Sequence, residues 1–212
     1  MKIDLSKYNA FFFDFDGVIV DSLDIKTEAF GELFSKYGKA ISKKVMDYHC
    51  NNGGVSRYEK FWYYYKNLLR KEINQRIINK LDKDYSRLVV KNVIAAPYIK
   101  GALSFIKKLN KAGKVCFIIS GTPQKEIRHI LKQRKIDGLF VETAGSPVNK
   151  ANNLQNLLRK YSVDPGEAIF FGDARSDYEA ARDNKVEFIS IVNNKSKELK
   201  RHAGKCSIKD FM

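Results

Sequence analysis

The chain is short of the residues that build metal and disulfide scaffolds, with three cysteines and three histidines in 212 residues. Cys50, Cys116 and Cys206 are widely separated and odd in number, and no C-x-x-C pair occurs. That excludes a disulfide framework. His49, His129 and His202 are equally scattered, which leaves no ligand set for zinc. No apolar run approaches the roughly 18 residues that span a bilayer. Residues 1–7 lack the long apolar segment of a secretory signal. A cytoplasmic protein with no membrane partner is therefore expected. Internal repeats and low-complexity linkers are also missing.

Acidic residues are outnumbered, 24 against 39 Lys+Arg, for a formal charge of +15. Such a balance raises the question of a nucleic-acid partner. The excess is spread along the chain: residues 22–96 hold 15 basic and 8 acidic residues, and no five basic residues are consecutive. The densest basic stretch, residues 195–201, reads equally well as a solvated helix face. A basic surface also steers small phosphate anions. The length allows one core domain and a modest second one.

What the chain does have is an apolar run that ends in carboxylates, Ala10-Phe11-Phe12-Phe13-Asp14-Phe15-Asp16-Gly17, followed by Val18-Ile19-Val20-Asp21-Ser22. The phenylalanines read as a strand buried on both faces. Asp14 and Asp16, two residues apart, project the same way from its end, and Gly17 lets the chain turn. Two like charges at a buried edge are costly unless a divalent cation or a shared proton offsets them. An active site is expected here.

Periodicity then predicts helices over residues 23–37, 42–49, 56–71 and 73–93, with Ser22 as an N-cap and a loop at Asn51-Asn52-Gly53-Gly54. No good strand candidate falls between residues 21 and 96, so this section is a helical insertion. Beyond Pro97, helices and strands alternate. Helices are expected over residues 101–112, from Thr122-Pro123 to about 134, and over 150–161 and 176–184. Strands are expected over residues 114–120, 138–142, 168–171 and 187–192. That alternation predicts an α/β fold, a Rossmann-like, mostly parallel sheet with helices on both faces, plus a small all-helical cap. Residues 1–20 and 97–212 would form the core, and residues 21–96 the cap. Such sheets place their chemistry beyond the carboxyl ends of the strands.

Four polar groups fall at those ends: Asp14 with Asp16, Ser120-Gly121-Thr122, Lys150, and Gly172-Asp173-Ala174-Arg175-Ser176-Asp177. Singly, Ser120 and Thr122 would be helix caps, Lys150 a solvated lysine and Asp173 a turn residue. Their recurrence on successive βα junctions argues for a site. The set resembles the haloacid dehalogenase-like superfamily of hydrolases, in its phosphatase branch with an α-helical cap between the first and second motifs. The first motif, hhhhDxDGhhxDS, is matched by residues 11–22. The second, a strand ending in Ser or Thr, is matched at Ser120. The third, a lysine, is matched at Lys150, and the fourth, GDxxxD, by Gly172, Asp173 and Asp177.

The resemblance implies a division of roles. Asp14 would be the nucleophile that becomes an aspartyl-phosphate. Asp16 would protonate the leaving group and then activate water; its presence favours phosphate esters over carbon–halogen substrates. Mg2+ would be held by Asp14, the backbone carbonyl of Asp16, Asp173 and Asp177. Ser120, Gly121, Thr122 and Lys150 would hold phosphate. Arg175 is open between orienting Asp177 and facing solvent. The expected function is a Mg-dependent phosphatase of a small phosphorylated metabolite. A sugar phosphomutase, a nucleic-acid end phosphatase and a basic nucleic-acid-binding protein are the alternatives.

The insertion would close over the site on hinges near residues 20–23 and 95–98. Its specificity residues are expected in the loop and helix start that hold Gly54, Ser56, Arg57 and Lys60, where Arg57 or Lys60 could meet an anionic substrate. The aromatic run Phe61-Trp62-Tyr63-Tyr64-Tyr65 is expected to pack the cap's own core.

Overall fold

The computed structural model describes residues 4–192 and 206–212. The basic stretch at residues 195–201 and His202 lie outside the described residues. Six strands form one parallel sheet: β1 (Ala10–Phe13), β2 (Val115–Pro123), β3 (Glu142–Ser146), β4 (Ala168–Gly172), β5 (Glu187–Ile191) and β6 (Ser207–Ile208). Their spatial order is β3-β2-β1-β4-β5-β6. The order reverses beside β1, and the crevice at such a reversal is where open α/β sheets bind ligands.

β1 is buried on both faces as its uninterrupted apolar run predicts. Phe11 and Phe13 pack into one core layer and Ala10 and Phe12 into another, the alternation a strand imposes. Phe13 stacks on Phe171 of β4 with ring centroids 5.1 Å apart, and Phe12 on Phe117 of β2 at 4.8 Å. Helices α5 (Ala102–Lys111), α6 (Gln124–Gln133), α7 (Lys150–Lys160) and α8 (Arg175–Asp183) alternate with these strands. Leu154, Leu157 and Ala180 of α7 and α8 belong to the Phe12 layer, while Ile106 and Ile127 of α5 and α6 belong to the Phe13 layer.

Between β1 and α5 the described chain is helical. It contains α1 (Leu23–Phe34), α2 (Lys39–Asn51), α3 (Arg57–Tyr63), a π-helical turn over Tyr64–Leu69, and α4 (Gln75–Ala95). Phe61, Tyr64 and Tyr65 are buried, but Trp62 is 41% exposed. The aromatic run therefore packs the helical section, apart from Trp62. The two connections to the sheet lie side by side: the Asp21 amide donates to the Pro97 carbonyl at 2.9 Å, and Val20 bridges Tyr98. Arg134 donates to the carbonyls of Val93, Ile94 and Ala96 at 3.0, 2.6 and 2.8 Å, satisfying groups that the end of α4 leaves without helical partners.

Three sequence expectations need correction. The strand expected over residues 138–142 lies later, at Glu142–Ser146, and a 3-10 turn occupies Asp137–Leu139. Gly145-Ser146-Pro147 has the composition of a loop. The Gln124 side chain nevertheless secures the strand there, donating to the Thr143 carbonyl at 2.7 Å and accepting from the Gly145 amide at 2.5 Å. Thr122 does not cap a helix, because β2 runs through Pro123 and α6 starts at Gln124. The helix expected over residues 56–71 widens into its π turn and ends at Arg70, with φ of 54°. No described helix is long and apolar enough to cross a membrane.

Candidate active site

Phe13 pairs in register with Ile118 of β2 and Phe171 of β4, so the carboxyl-terminal parts of three neighbouring strands and the residues that follow β1 and β4 share one crevice. β1 delivers Asp14 and Asp16, β2 delivers Ser120, Gly121 and Thr122, and β4 delivers Asp173. Lys150 opens α7, and Asp177 lies in the first turn of α8. Asp14, Asp16, Ser120, Thr122, Lys150, Asp173 and Asp177 are all buried, which no run of solvated surface residues would be.

The Lys150 ammonium donates to Asp14 Oδ2 at 2.5 Å and to Asp177 Oδ1 at 2.6 Å. Asp14 Oδ1 accepts from the Phe15 amide at 2.6 Å, and Asp177 Oδ2 from the Ala174 amide at 3.1 Å. Asp14, Asp173 and Asp177 place carboxylate oxygens within 4.8 Å of one another. Burial pushes Asp14 up to about 7; Lys150 opposes this, and the charges of Asp177 and Asp16 add to it. Asp173 is raised well above the carboxylate range by burial and then by Asp14 and Asp177. Asp14 and Asp177 share one ammonium beside Asp173, and the donor set is all oxygen. These residues fit a hard divalent cation such as Mg2+, whose charge offsets that crowding.

Asp16 turns its side chain to different partners. Ser22 Oγ donates to it at 2.6 Å, Thr122 Oγ1 at 3.2 Å, and the Lys26 ammonium forms an ion pair with it. Ser22 stands at the start of α1 as expected, yet its hydroxyl serves Asp16 and makes no cap bond. Burial alone would raise Asp16, but Lys26 and the hydrogen bonds from Lys26, Ser22 and Thr122 hold it below its ordinary value. Two aspartates on one strand end thus differ in proton affinity: Asp14 is buried beside other carboxylates and shares its lysine with Asp177, whereas Asp16 has Lys26 and two hydroxyl donors. Ser120 Oγ accepts from the Thr122 amide at 3.1 Å, which fixes the loop after β2.

The helical section reaches this crevice through its glycine loop. Gly54 has φ of +70°, and a Cβ there would lie 2.2 Å from Ser176 Oγ and 2.8 Å from Lys150 Nζ. A Cβ on Gly121 would lie 2.5 Å from the Gly54 carbonyl oxygen. Only backbone fits between these segments. Ser176 Oγ donates to the Gly53 carbonyl at 3.1 Å and ties the loop down. The cavity between them, about 60 Å³, is lined by Asp14, Asp16 and Asp173 below and by Lys26, His49 and Lys60 among the residues above.

The structure separates the specificity residues expected in the cap. Ser56 caps α3, its Oγ accepting from the Tyr58 amide at 3.2 Å, and is not among the residues lining the cavity. Gly54 is the close-approach point. Arg57 borders the cavity, but its guanidinium is engaged by Glu126 of α6, by Asp82 at 3.1 Å and by Ser86 at 2.9 Å. It also lies 4.6 Å from the Tyr85 ring centroid. Lys60 is buried, and its Nζ sits 2.9 Å from His49 Nδ1. Arg175 is on the surface, 2.7 Å from Glu179, and does not orient Asp177 through any hydrogen bond found here.

Sequence reasoning missed Lys26, His49 and Glu126. Lys26 carried a usable signal, since it follows Ser22 by four residues on α1 and so shares its helix face. His49 and Glu126 reach their partners through tertiary packing, which left no local pattern.

A match to the haloacid dehalogenase-like hydrolase family spans residues 11–191. The chain belongs to that family. Among proteins similar to this hydrolase is a phosphorylated carbohydrates phosphatase of Thermotoga maritima, 26% identical over 185 residues, which are 85% of this chain and 83% of that protein. A phosphoglycolate phosphatase of Vibrio vulnificus is 30% identical over 82 residues, 36% of each chain. In structure, this hydrolase resembles a haloacid dehalogenase-like hydrolase of Bacteroides fragilis with a TM-score of 0.77 at 19% identity, over 96% of this chain and 97% of the other.

Proposed function

We propose that this hydrolase is a Mg-dependent phosphatase that removes phosphate from a small phosphomonoester through an aspartyl-phosphate on Asp14. The observation that carries the reading is the buried meeting of Asp14, Lys150, Asp173 and Asp177 beside a separately paired Asp16. The curated relatives named as phosphatases support it.

A carboxylate oxygen of Asp14 attacks phosphorus, and the bond from phosphorus to the ester oxygen breaks. Asp16, ionised beside Lys26 before substrate arrives, takes up a proton from solvent as the phosphate's negative charge enters next to it, and gives that proton to the departing alkoxide. Asp16 then takes a proton from water, the water oxygen attacks phosphorus, and inorganic phosphate leaves Asp14 free. Lys150 and the Ser120 hydroxyl, with the Gly121 amide, hold the phosphoryl oxygens as charge spreads over them, while Thr122, expected there from the sequence, has its hydroxyl on Asp16 and its amide on Ser120. Asp14, Asp173 and Asp177, with the Asp16 carbonyl, would hold Mg2+, which neutralises charge on the phosphoryl group. Residues 21–96 act as the cap, lifting on the paired connections near Asp21 and Pro97 to admit substrate. The scattered free cysteines accord with a cytoplasmic setting.

The test is a phosphate-release screen with Mg2+ over sugar phosphates, small acid phosphates, nucleotides and phosphorylated DNA ends. Turnover of at least one small monoester is expected, and Asp14→Asn should abolish it with the circular dichroism spectrum unchanged. Full activity in Asp14→Asn would remove the mechanism.

A further inference from the structure

Cations surround the crevice, and most already have carboxylates. Lys150 pairs with Asp14 and Asp177, Lys26 with Asp16, and Arg57 with Glu126 and Asp82. Lys60 is different. It is 2% exposed, it lines the cavity, and its hydrogen-bond partner is the His49 ring. The Phe30 ring centroid is 5.7 Å from its ammonium. Among the described residues no ion pair involves it. Its position also draws repulsion from Lys26 and Lys150. Burying an ammonium without an anion is costly, and the His49 ring is held neutral by burial and by Lys60 and Lys26, so it supplies no charge. An isolated buried cation on the wall of a binding cavity is a site awaiting an anion.

The reacting phosphate does not fill that place, because in the proposed mechanism it lies against Asp14, Ser120 and Lys150. Lys60 belongs to α3 of the helical section and faces the cavity that Asp14 and Asp173 bound from below. A group held by Lys60 is therefore the far end of the substrate, the alcohol half that leaves.

We infer that the substrate is a small phosphomonoester whose alcohol half carries a second anionic group, a carboxylate or a second phosphate, held by Lys60. This rests on the phosphatase reading above; Arg57, the other cation expected to meet an anionic substrate, is already engaged by Glu126. The carboxylates that neutralise Arg57 and Lys26 leave Lys60 as the cavity cation able to discriminate charge.

The experiment compares three esters of matched length with Mg2+: hydroxyethyl phosphate, which adds no charge, phosphoglycolate, which adds a carboxylate, and ethylene glycol bisphosphate, which adds a phosphate. The wild type should favour one of the charged esters in kcat/KM by about 10–100-fold over hydroxyethyl phosphate, and the preferred ester identifies the anion. Lys60→Met should lose at least about tenfold more on that ester than on hydroxyethyl phosphate, mainly through KM, and Lys60→Arg should recover part of the difference. Equal use of neutral and charged esters by the wild type, or equal losses in Lys60→Met, would overturn the inference. Calorimetry on the wild type with phosphonoacetate, methylenediphosphonate and ethylphosphonate gives a readout free of turnover and of any folding defect in a variant. Tighter binding of phosphonoacetate or of methylenediphosphonate supports the Lys60 site even if no ester is hydrolysed, an outcome that would count against the phosphatase reading alone. Equal binding of all three phosphonates overturns the inference.

Discussion

Asp14 and Asp16 leave the same strand end and meet different cations, Lys150 and Lys26; in the proposed mechanism the same side chain does two jobs. Lys26 lowers the proton affinity of Asp16, and its removal should raise it. For Lys26→Met we expect kcat to fall by about 10–100-fold and the pH–rate profile to move to higher pH; a profile that stays in place would deny Lys26 this role. Lys60 offers a second pH signature. Burial, then Lys26 and Lys150, push it down to about 7 from an ordinary 10.5. Facing it are His49 from α2, Phe30 and Lys26 from α1, and Lys150 from α7, with Cys50 and Glu59 pulling weakly the other way. Between about 7 and 10.5 the unfolded chain holds a proton that the folded one lacks, so this group makes stability rise with pH across that window. The penalty, on the order of a few kcal/mol, is full below about 7. Without substrate, Lys60→Met should therefore raise the melting temperature most near pH 6, with the gain shrinking by pH 9. A gain independent of pH would show that Lys60 is not a strained cation.

Among the elements, the contacts that seat α3 and the glycine loop on the sheet are few and specific. Arg57 and Glu126 join α3 to α6 while 4% and 9% exposed, and Ser86 of α4 donates to the same carboxylate at 2.5 Å. Glu126→Gln leaves the guanidinium with Asp82 and should cost about 1–3 kcal/mol in denaturant unfolding. Gly121→Ala places a methyl against the Gly54 carbonyl. We expect it to raise KM by holding the loop off the sheet, while near-native far-ultraviolet dichroism shows an intact core; an unchanged KM would mean that the loop need not seat. The same elements show what the sequence discloses. β1, β2 and β4 are legible because burial on both faces demands unbroken apolar runs. β3 is not, because its last residues, Gly145 and Ser146, have the composition of a loop, and the Gln124 side chain supplements its pairing with β2 at Thr143 and Gly145. The π turn after α3 is equally silent, since Tyr64 and Tyr65 fit any helical period.

For the whole molecule, the site was legible where one strand end supplies several groups at fixed spacing, as with Asp14, Asp16, Asp173 and Asp177. Lys150 could be placed only because a parallel sheet brings successive βα junctions to one edge. Contacts between the helical section and the sheet, such as Lys26 with Thr122 at 2.7 Å, depend on how the section folds back and leave no local trace. The surplus of acid around Lys150 predicts that chelation by EDTA abolishes turnover and that Mg2+ restores it, followed by phosphate release. The most direct measurement is mass spectrometry of the enzyme acid-quenched during turnover of its preferred ester. The account predicts a peptide carrying one added phosphoryl group on Asp14, absent from Asp14→Asn. Turnover at full rate with no phosphoryl group on Asp14, or with one on another residue, would contradict it.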